Sequence, residues 1–444
     1  MTRNTSGAAA VNLLQELIRF DTSNPPGNEG PCIRFLDETL AGAGLETQTI
    51  ARDPQRPNLI ARLRGTGSAP PLLFCGHVDV VPAGAARWSH PPFSGEIAEG
   101  WVWGRGALDM KGGVAMMAAA VLRAALEGLV PTSDIIIAFV ADEESGGEAG
   151  ARYLVESRPD VFAGVRHAVC EFGGFPLRIL GRTFSMIQVA EKLPTPIDVA
   201  IRGLAGHGAR PMRGGAMARL ARILRRLDEH RLPIHITPVT REMVERIARG
   251  LPRLARPAVR QLLRPALTDR MLGALGDTGR MFEPLFRNTV NATIVHGGDR
   301  INVIPSEIHL ALDARILPGF TSDDLLAELA PFLRDDGEAR LVASAAPAAS
   351  PDLDFFDFLA RCLTRHAPDA TPVPFLLPGS TDGRHFATIG IQTCGFTPMN
   401  LPPEVSFFRS IHSVDERIPI EAVEFGAEVL YDVIRTYGAA APAT

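Results

Sequence analysis

Lysine is nearly absent from this chain. Only Lys111 and Lys192 occur among its 45 basic residues, a bias that by itself carries little function. Cysteine is sparse as well: Cys32, Cys75, Cys170, Cys362 and Cys394 are odd in number and far apart, with no CxxC pair to hold zinc or do redox work. No disulfide framework is therefore expected, and a reducing cytoplasm fits. Long apolar runs are missing too. The longest, residues 114–122 and 135–141, fall well short of the roughly 20 residues that a membrane helix requires. Neither charge dominates: 45 basic against 50 acidic residues give −5, which removes the general positive field of a binder of nucleic acid or anionic membrane. GxSxG, HExxH and GxxxxGK[ST] are all lacking, which excludes the usual serine-hydrolase elbow, the zincin helix and the phosphate loop. Gly104-Arg105-Gly106 starts like a dinucleotide fingerprint, but Asp109 stands where the third glycine belongs.

What remains is an ordinary globular composition, 46% hydrophobic and 21% charged over 444 residues. That length suits roughly two or three domains. Val11, Leu14, Leu17 and Ile18 recur at helical spacing with Gln15, Glu16 and Arg19 between them, which reads as a first helix and not as a secretory signal. Apolar runs at 72–75, 135–141 and 168–170 alternate with helical stretches at 113–127 and 150–157, the pattern of a mostly parallel sheet with crossover helices. Lys192-Leu193-Pro194-Thr195-Pro196 interrupts that pattern and is read as a domain boundary. Beyond it, two helices (216–227, 322–333) and four strands (197–202, 291–295, 308–315, 340–343) predict a small split βαβ sandwich. The expected organisation is a catalytic α/β domain in two parts, 1–193 and 347–444, with an inserted α+β lid at 194–346 and a return linker at 345–351. Within the lid, residues 240–287 hold ten arginines against five acids. This stretch is read as a solvated helix face, with a basic rim over an acidic-substrate site as the alternative.

Acids and histidines gather where apolar runs end. Residues two apart on a strand share a side, so in the run Gly76-His77-Val78-Asp79 a metal-binding His77 would have Asp79 to steady its other ring nitrogen; a satisfied strand-end histidine is the alternative. Asp109 precedes a helix and suits either an N-cap or a ligand. In Asp142-Glu143-Glu144 one carboxylate can bind metal while its neighbour carries a proton; a solvated acidic turn is the competing reading. Glu171 ends another strand, and His412 lies in a loop before the last helix. Ligands collect beyond the carboxyl ends of parallel strands, where most of these groups fall. His90, His167, His230, His235, His296, His309, His366 and His385 sit in no comparable constellation and are read as structural, with His385 bordering the 378–384 turn.

In order along the chain come Asp21-Thr22-Ser23-Asn24-Pro25-Pro26-Gly27, His77-x-Asp79, Asp109-Met110-Lys111-Gly112, Glu143-Glu144, Gly206-His207-Gly208, Asn302-Val303-Ile304-Pro305 and His412-x-x-Asp415-Glu416. With these the chain resembles, over nearly its whole length, the M20 family of metallopeptidases and amidohydrolases. The resemblance implies a hydrolase with two zinc ions, cobalt or manganese being the alternatives, and a lid that often mediates a homodimer. It makes Asp109 a bridging ligand, with His77 and Glu171 completing one metal and Glu144 and His412 the other. Glu143 becomes the general base that activates metal-bound water, Asp79 the partner of His77, and His207, often supplied by the partner subunit, the oxyanion donor. Asn302, Arg315, Gly379, Ser380 and Arg384 match positions that hold the substrate's carboxylate and backbone, with ion pairing as the alternative for Arg315. The implied substrate is a small N-acyl amino acid or dipeptide with a free carboxylate. A non-catalytic binding protein of the same fold and a two-metal phosphoesterase are the competing readings. The 234–287 insertion is longer than the deacetylases carry, and Leu193-Pro194-Thr195-Pro196 also departs from the family pattern.

Overall fold

The structure is a computed structural model that describes residues 5–343 and 351–439. The expected return linker falls, apart from Pro351, outside the described residues. Every residue of the strands Leu72–His77 and Ile135–Val140 is buried, because helices cover both faces of the sheet they build. On one face the helix Lys111–Leu126 packs between Thr5–Arg19 and Ile420–Thr436. Its Ala, Met and Gly residues are buried nearly all round, as a helix enclosed by neighbours requires. On the other face Leu154, Val155 and Phe386, from the helices Ala151–Ser157 and Gly383–Ala387, join a second core.

Among the described residues the sheet has nine strands, and its centre is parallel: Ile135–Val140, Leu72–His77, His167–Cys170 and Gln392–Gly395 lie side by side and run the same way. Antiparallel pairs flank them, Asn58–Leu63 on one side and Arg182–Glu191 on the other. This is the α/β class expected. His77 pairs with Val140, and Cys170 with Gly395, so these strands finish at one edge. The acids and histidines follow at that edge.

A second sheet orders its main strands Thr289–His296, Glu307–Ile316, Ile197–Arg202 and Glu338–Leu341, every pair antiparallel. Ile197–Arg202 and Thr289–His296 therefore flank Glu307–Ile316, the split βαβ arrangement, and the helices Ala216–Glu229 and Ser322–Leu333 close a separate small core over it. The proline pair interrupts its edge only briefly. Leu193–Pro194 pairs with Ile316 and Arg315, and the strand resumes at Ile197 along the same partner.

The arginine-rich stretch folds as the helices Pro238–Gly250, Arg256–Arg260, Pro265–Ala274 and Gly276–Phe282. Their inward residues Val239, Met243, Ile247, Leu272 and Phe282 join the core of the large sheet, with Pro238–Gly250 against the strand Thr371–Leu377. Outward, Arg246 reaches Glu242 at 2.7 Å and Asp357 at 3.1 Å, and Arg260 reaches Glu245 at 2.9 Å. These surface pairs fit the solvated-face reading of the stretch.

Candidate metal centre

Asp109 lies in the turn before the helix Lys111–Leu126. Met110 occupies the N-cap position, so the Asp109 carboxylate caps nothing. Its two oxygens face different histidines instead: Oδ1 is 3.2 Å from His77 Nε2, and Oδ2 is 3.2 Å from His412 Nε2. Glu171 Oε2 lies 3.4 Å from His77 Nε2, and Glu144 Oε1 3.2 Å from His412 Nε2. The cluster has two halves that share Asp109. Glu143 joins the His77 half, where one atom each of His77, Glu143 and Glu171 lie within 4.8 Å of one another.

Asp79 faces the other ring nitrogen of His77, with Nδ1 2.9 Å from its backbone oxygen and 3.5 Å from Oδ1. The same carboxylate accepts the backbone N–H groups of Glu143 at 3.1 Å and Glu144 at 3.2 Å. Glu416 fixes the opposite side: Oε1 accepts the N–H groups of Leu108 at 2.8 Å and Asp109 at 3.2 Å, and Oε2 pairs with Arg105 at 2.6 Å. Arg105 in turn donates to the carbonyls of His412 and Ser413 at 3.3 and 3.1 Å.

Electrostatically the cluster is an acid excess. Burial and the neighbouring Asp382, Glu144 and Asp109 hold the Glu143 carboxyl well above its usual range, and burial with Glu143 does the same to Glu171. Hydrogen bonds from its ring to the Asp109 and Glu144 carboxylates push His412 up to about 10. Burial alone would lower His77, but Glu171, Asp109 and Asp79 outweigh it and raise it well above the ordinary histidine value. Both Glu171 oxygens are buried and have no hydrogen-bond donor among the described residues. Orphaned carboxylate oxygens facing an imidazole nitrogen are the donor set a cation completes, so the residues fit a metal pair. Three carboxylates, Asp109, Glu144 and Glu171, against two divalent ions leave about one positive charge, a balance that favours binding a hydroxide.

A profile of Peptidase family M20/M25/M40 matches residues 73–436. The chain belongs to this family. As an M20 protein it is an enzyme, a metallopeptidase or amidohydrolase. Its M20 relatives include the probable carboxypeptidase S-like 2 of Dictyostelium discoideum, 28% identical over 83% of this chain and 72% of that protein. The N-fatty-acyl-amino acid synthase/hydrolase PM20D1 of Homo sapiens is 28% identical over 83% of this chain and 74% of that one. The succinyl-diaminopimelate desuccinylase of Paracoccus denitrificans (strain Pd 1222) is 38% identical, over 49% of this chain and 56% of that protein. In fold the chain is similar to the M20 metallo-carboxypeptidase Sso-CP2 of Sulfolobus solfataricus, with TM-score 0.70 and 16% identity over 97% of this chain and 99% of that one.

Other expected M20 site residues form separate groups. Ser380 Oγ accepts from Arg384 at 2.9 Å and from Arg315 at 3.3 Å, with Gly379 in the same turn. Arg315 also pairs through Nε with the half-exposed Asp313 at 2.8 Å, so the ion pair and the Nη1 contact to Ser380 coexist. His207 and Asn302 sit together at a separate two-stranded ribbon, in which Gly206–His207 pairs with Val303–Ile304: Gly208 N–H donates to the Asn302 carbonyl at 2.8 Å, and both side chains are exposed. Neither makes a hydrogen bond or ion pair with the acidic cluster among the described residues. His385 Nε2 lies 3.3 Å from the Gly146 carbonyl, which fits its structural reading, and a Cβ at Gly147 (φ +77) would come within 3.1 Å of both His385 and Asp382. Asn24, Arg105, Asp142 and Glu416 hold the site but carry no spacing signal of their own. Asn24 and Glu416 lie within the Asp21–Gly27 and His412–Glu416 motifs.

Proposed function

We propose that this enzyme hydrolyses the amide bond of a small N-acyl amino acid or dipeptide with a free carboxylate, using two zinc ions, with cobalt or manganese as replacements. The observation that carries this reading is the Asp109 carboxylate with one histidine at each oxygen. His77, Asp109 and Glu171 would hold one ion, and Asp109, Glu144 and His412 the other. When bound, such ions polarise a carbonyl and lower the pKa of water from 15.7 to about 7. Glu143 takes the proton of the attacking water and returns it to the departing amide nitrogen. Asp79 orients the His77 ring.

The guanidinium forks of Arg384 and Arg315 converge on Ser380 and, with Gly379, suit a substrate carboxylate. His207 and Asn302 are assigned to substrate and oxyanion contacts made from a partner lid. An unpaired edge supports that homodimer: along Thr289–His296 the side chains Ile294 and Val295 are about half exposed, at 51% and 49%. The proposed location is the cytoplasm. The relatives named for desuccinylation and for N-fatty-acyl amino acid hydrolysis support an acyl amino acid substrate.

The test is hydrolysis of a panel of N-acyl amino acids and dipeptides by zinc-loaded protein, before and after chelation. Turnover lost to chelator and restored by zinc is the expected result. No turnover anywhere on a broad panel would leave a binding protein as the better account.

A further inference from the structure

The loop Asp21-Thr22-Ser23-Asn24-Pro25-Pro26-Gly27 contributes no ligand, yet it is built into the site. Thr22 donates to the Val78 carbonyl at 2.6 Å, its own carbonyl accepts Val80 N–H at 3.1 Å, and Asn24 N–H donates to the Val80 carbonyl at 2.8 Å. The loop is thereby zipped onto the segment that carries His77 and Asp79. That places the Asn24 side chain, only 4% exposed, beneath the cluster.

Its amide nitrogen, Nδ2, donates in two directions: to Asp79 Oδ2 at 2.8 Å and to Asp142 Oδ1 at 3.1 Å. Asp79 faces His77 and accepts the Glu143 and Glu144 N–H groups. Asp142 immediately precedes Glu143 and adopts a left-handed backbone, φ +69, which a non-glycine residue keeps only when its surroundings enforce it. Three donors do so: Asn24, Arg56 Nη1 at 2.8 Å, and Ala149 N–H at 3.0 Å. Arg56 is itself anchored on Glu29 at 2.6 Å, and a Cβ at Gly27 (φ +81) would lie 2.3 Å from Arg56 Nε, so the loop's glycine admits that guanidinium.

We propose that Asn24 is a positioning residue: its two amide hydrogens join the carboxylate behind His77 to the carboxylate that shapes the Glu143–Glu144 turn, fixing the distance between the two halves of the metal centre. It touches neither substrate nor ligand and acts through Asp79 and Asp142. Removing it leaves two buried carboxylates side by side with one shared donor fewer, and the turn that aims Glu143 is free to shift relative to His77. The activity consequence rests on the amide-hydrolase reading above; the geometric consequence does not.

The experiment compares wild type with Asn24→Ala, both loaded to full occupancy with Co2+ and measured at equal folded fraction. Expected for Asn24→Ala are a kcat lower by about 10–100-fold, a KM within about threefold, and displaced Co2+ visible bands. Asn24→Gln keeps the amide on a longer arm and is expected to fall between the two; it carries the test if the alanine variant does not fold. Unchanged bands with unchanged kcat overturn the proposal, as does a loss that vanishes once folded fractions are equal. If wild type hydrolyses no amide, the hydrolase reading fails while the bands still decide the role of Asn24.

Discussion

Arg105 and Glu416 form a buried ion pair of 2.6 Å directly behind the Asp109 backbone. Neither side chain is more than 3% exposed, and Glu416 spends its second oxygen on the N–H groups of Leu108 and Asp109. Removing one member of such a pair strands the other charge. Arg105→Met should cost about 3–5 kcal/mol of unfolding free energy, read by urea titration. A loss under about 1 kcal/mol would mean that Glu416 finds another partner or a proton.

Glu143→Gln keeps the size of the side chain and removes its ability to carry a proton. With metal content matched to wild type, kcat should fall at least about a hundredfold, within the range for general acid–base groups. Near-normal turnover at full occupancy would remove Glu143 from the mechanism.

Arg384→Ala tests the carboxylate anchor. A charge-assisted hydrogen bond contributes roughly 1.5–3 kcal/mol, so KM for an N-acyl amino acid should rise about 10–100-fold while kcat changes far less. The matching substrate with an amidated carboxyl group should show no such difference between the two enzymes. An equal KM penalty on the amide would assign Arg384 to turn structure.

Asp432 gives a pH dependence outside the acidic cluster. His366, Arg435 and Arg365 overcome burial and hold its carboxyl below the ordinary aspartate range. A group whose folded pKa is depressed contributes stability above its unfolded pKa of about 3.9 and loses it as pH falls toward the folded value. Asp432→Asn should therefore melt below wild type at neutral pH, and the gap should close below about pH 4. Thermal melts across that range check it; a gap that widens on acidification contradicts it.

The ligand candidates were legible because each stands where a periodic pattern stops. A buried run ends before His77, another before Asp142-Glu143-Glu144, a third before Glu171, and parallel strands end on one edge by construction. One carboxylate role was less plain. Asp109 before a helix reads equally as a cap, until Met110 is seen to hold that position. The supporting contacts left no local trace at all: Asn24 meets Asp79 across 55 residues and Asp142 across 118, and Arg105 meets Glu416 across 311. The arginine-rich stretch reads from sequence only as a solvated helix face; that its helices also bury a face on the large sheet is decided by the tertiary packing.

Local order in this protein is written in short-range chemistry: alternating apolar runs dictate strands and helices, prolines interrupt them, and polar groups at strand ends have nowhere to go but the open edge. Which oxygen of Asp109 meets which histidine, and that Asn24 joins Asp79 to Asp142, came only from the packed chain. Those contacts close between segments far apart in sequence, and their geometry depends on how the sheet, the crossover helix and the N-terminal loop pack together.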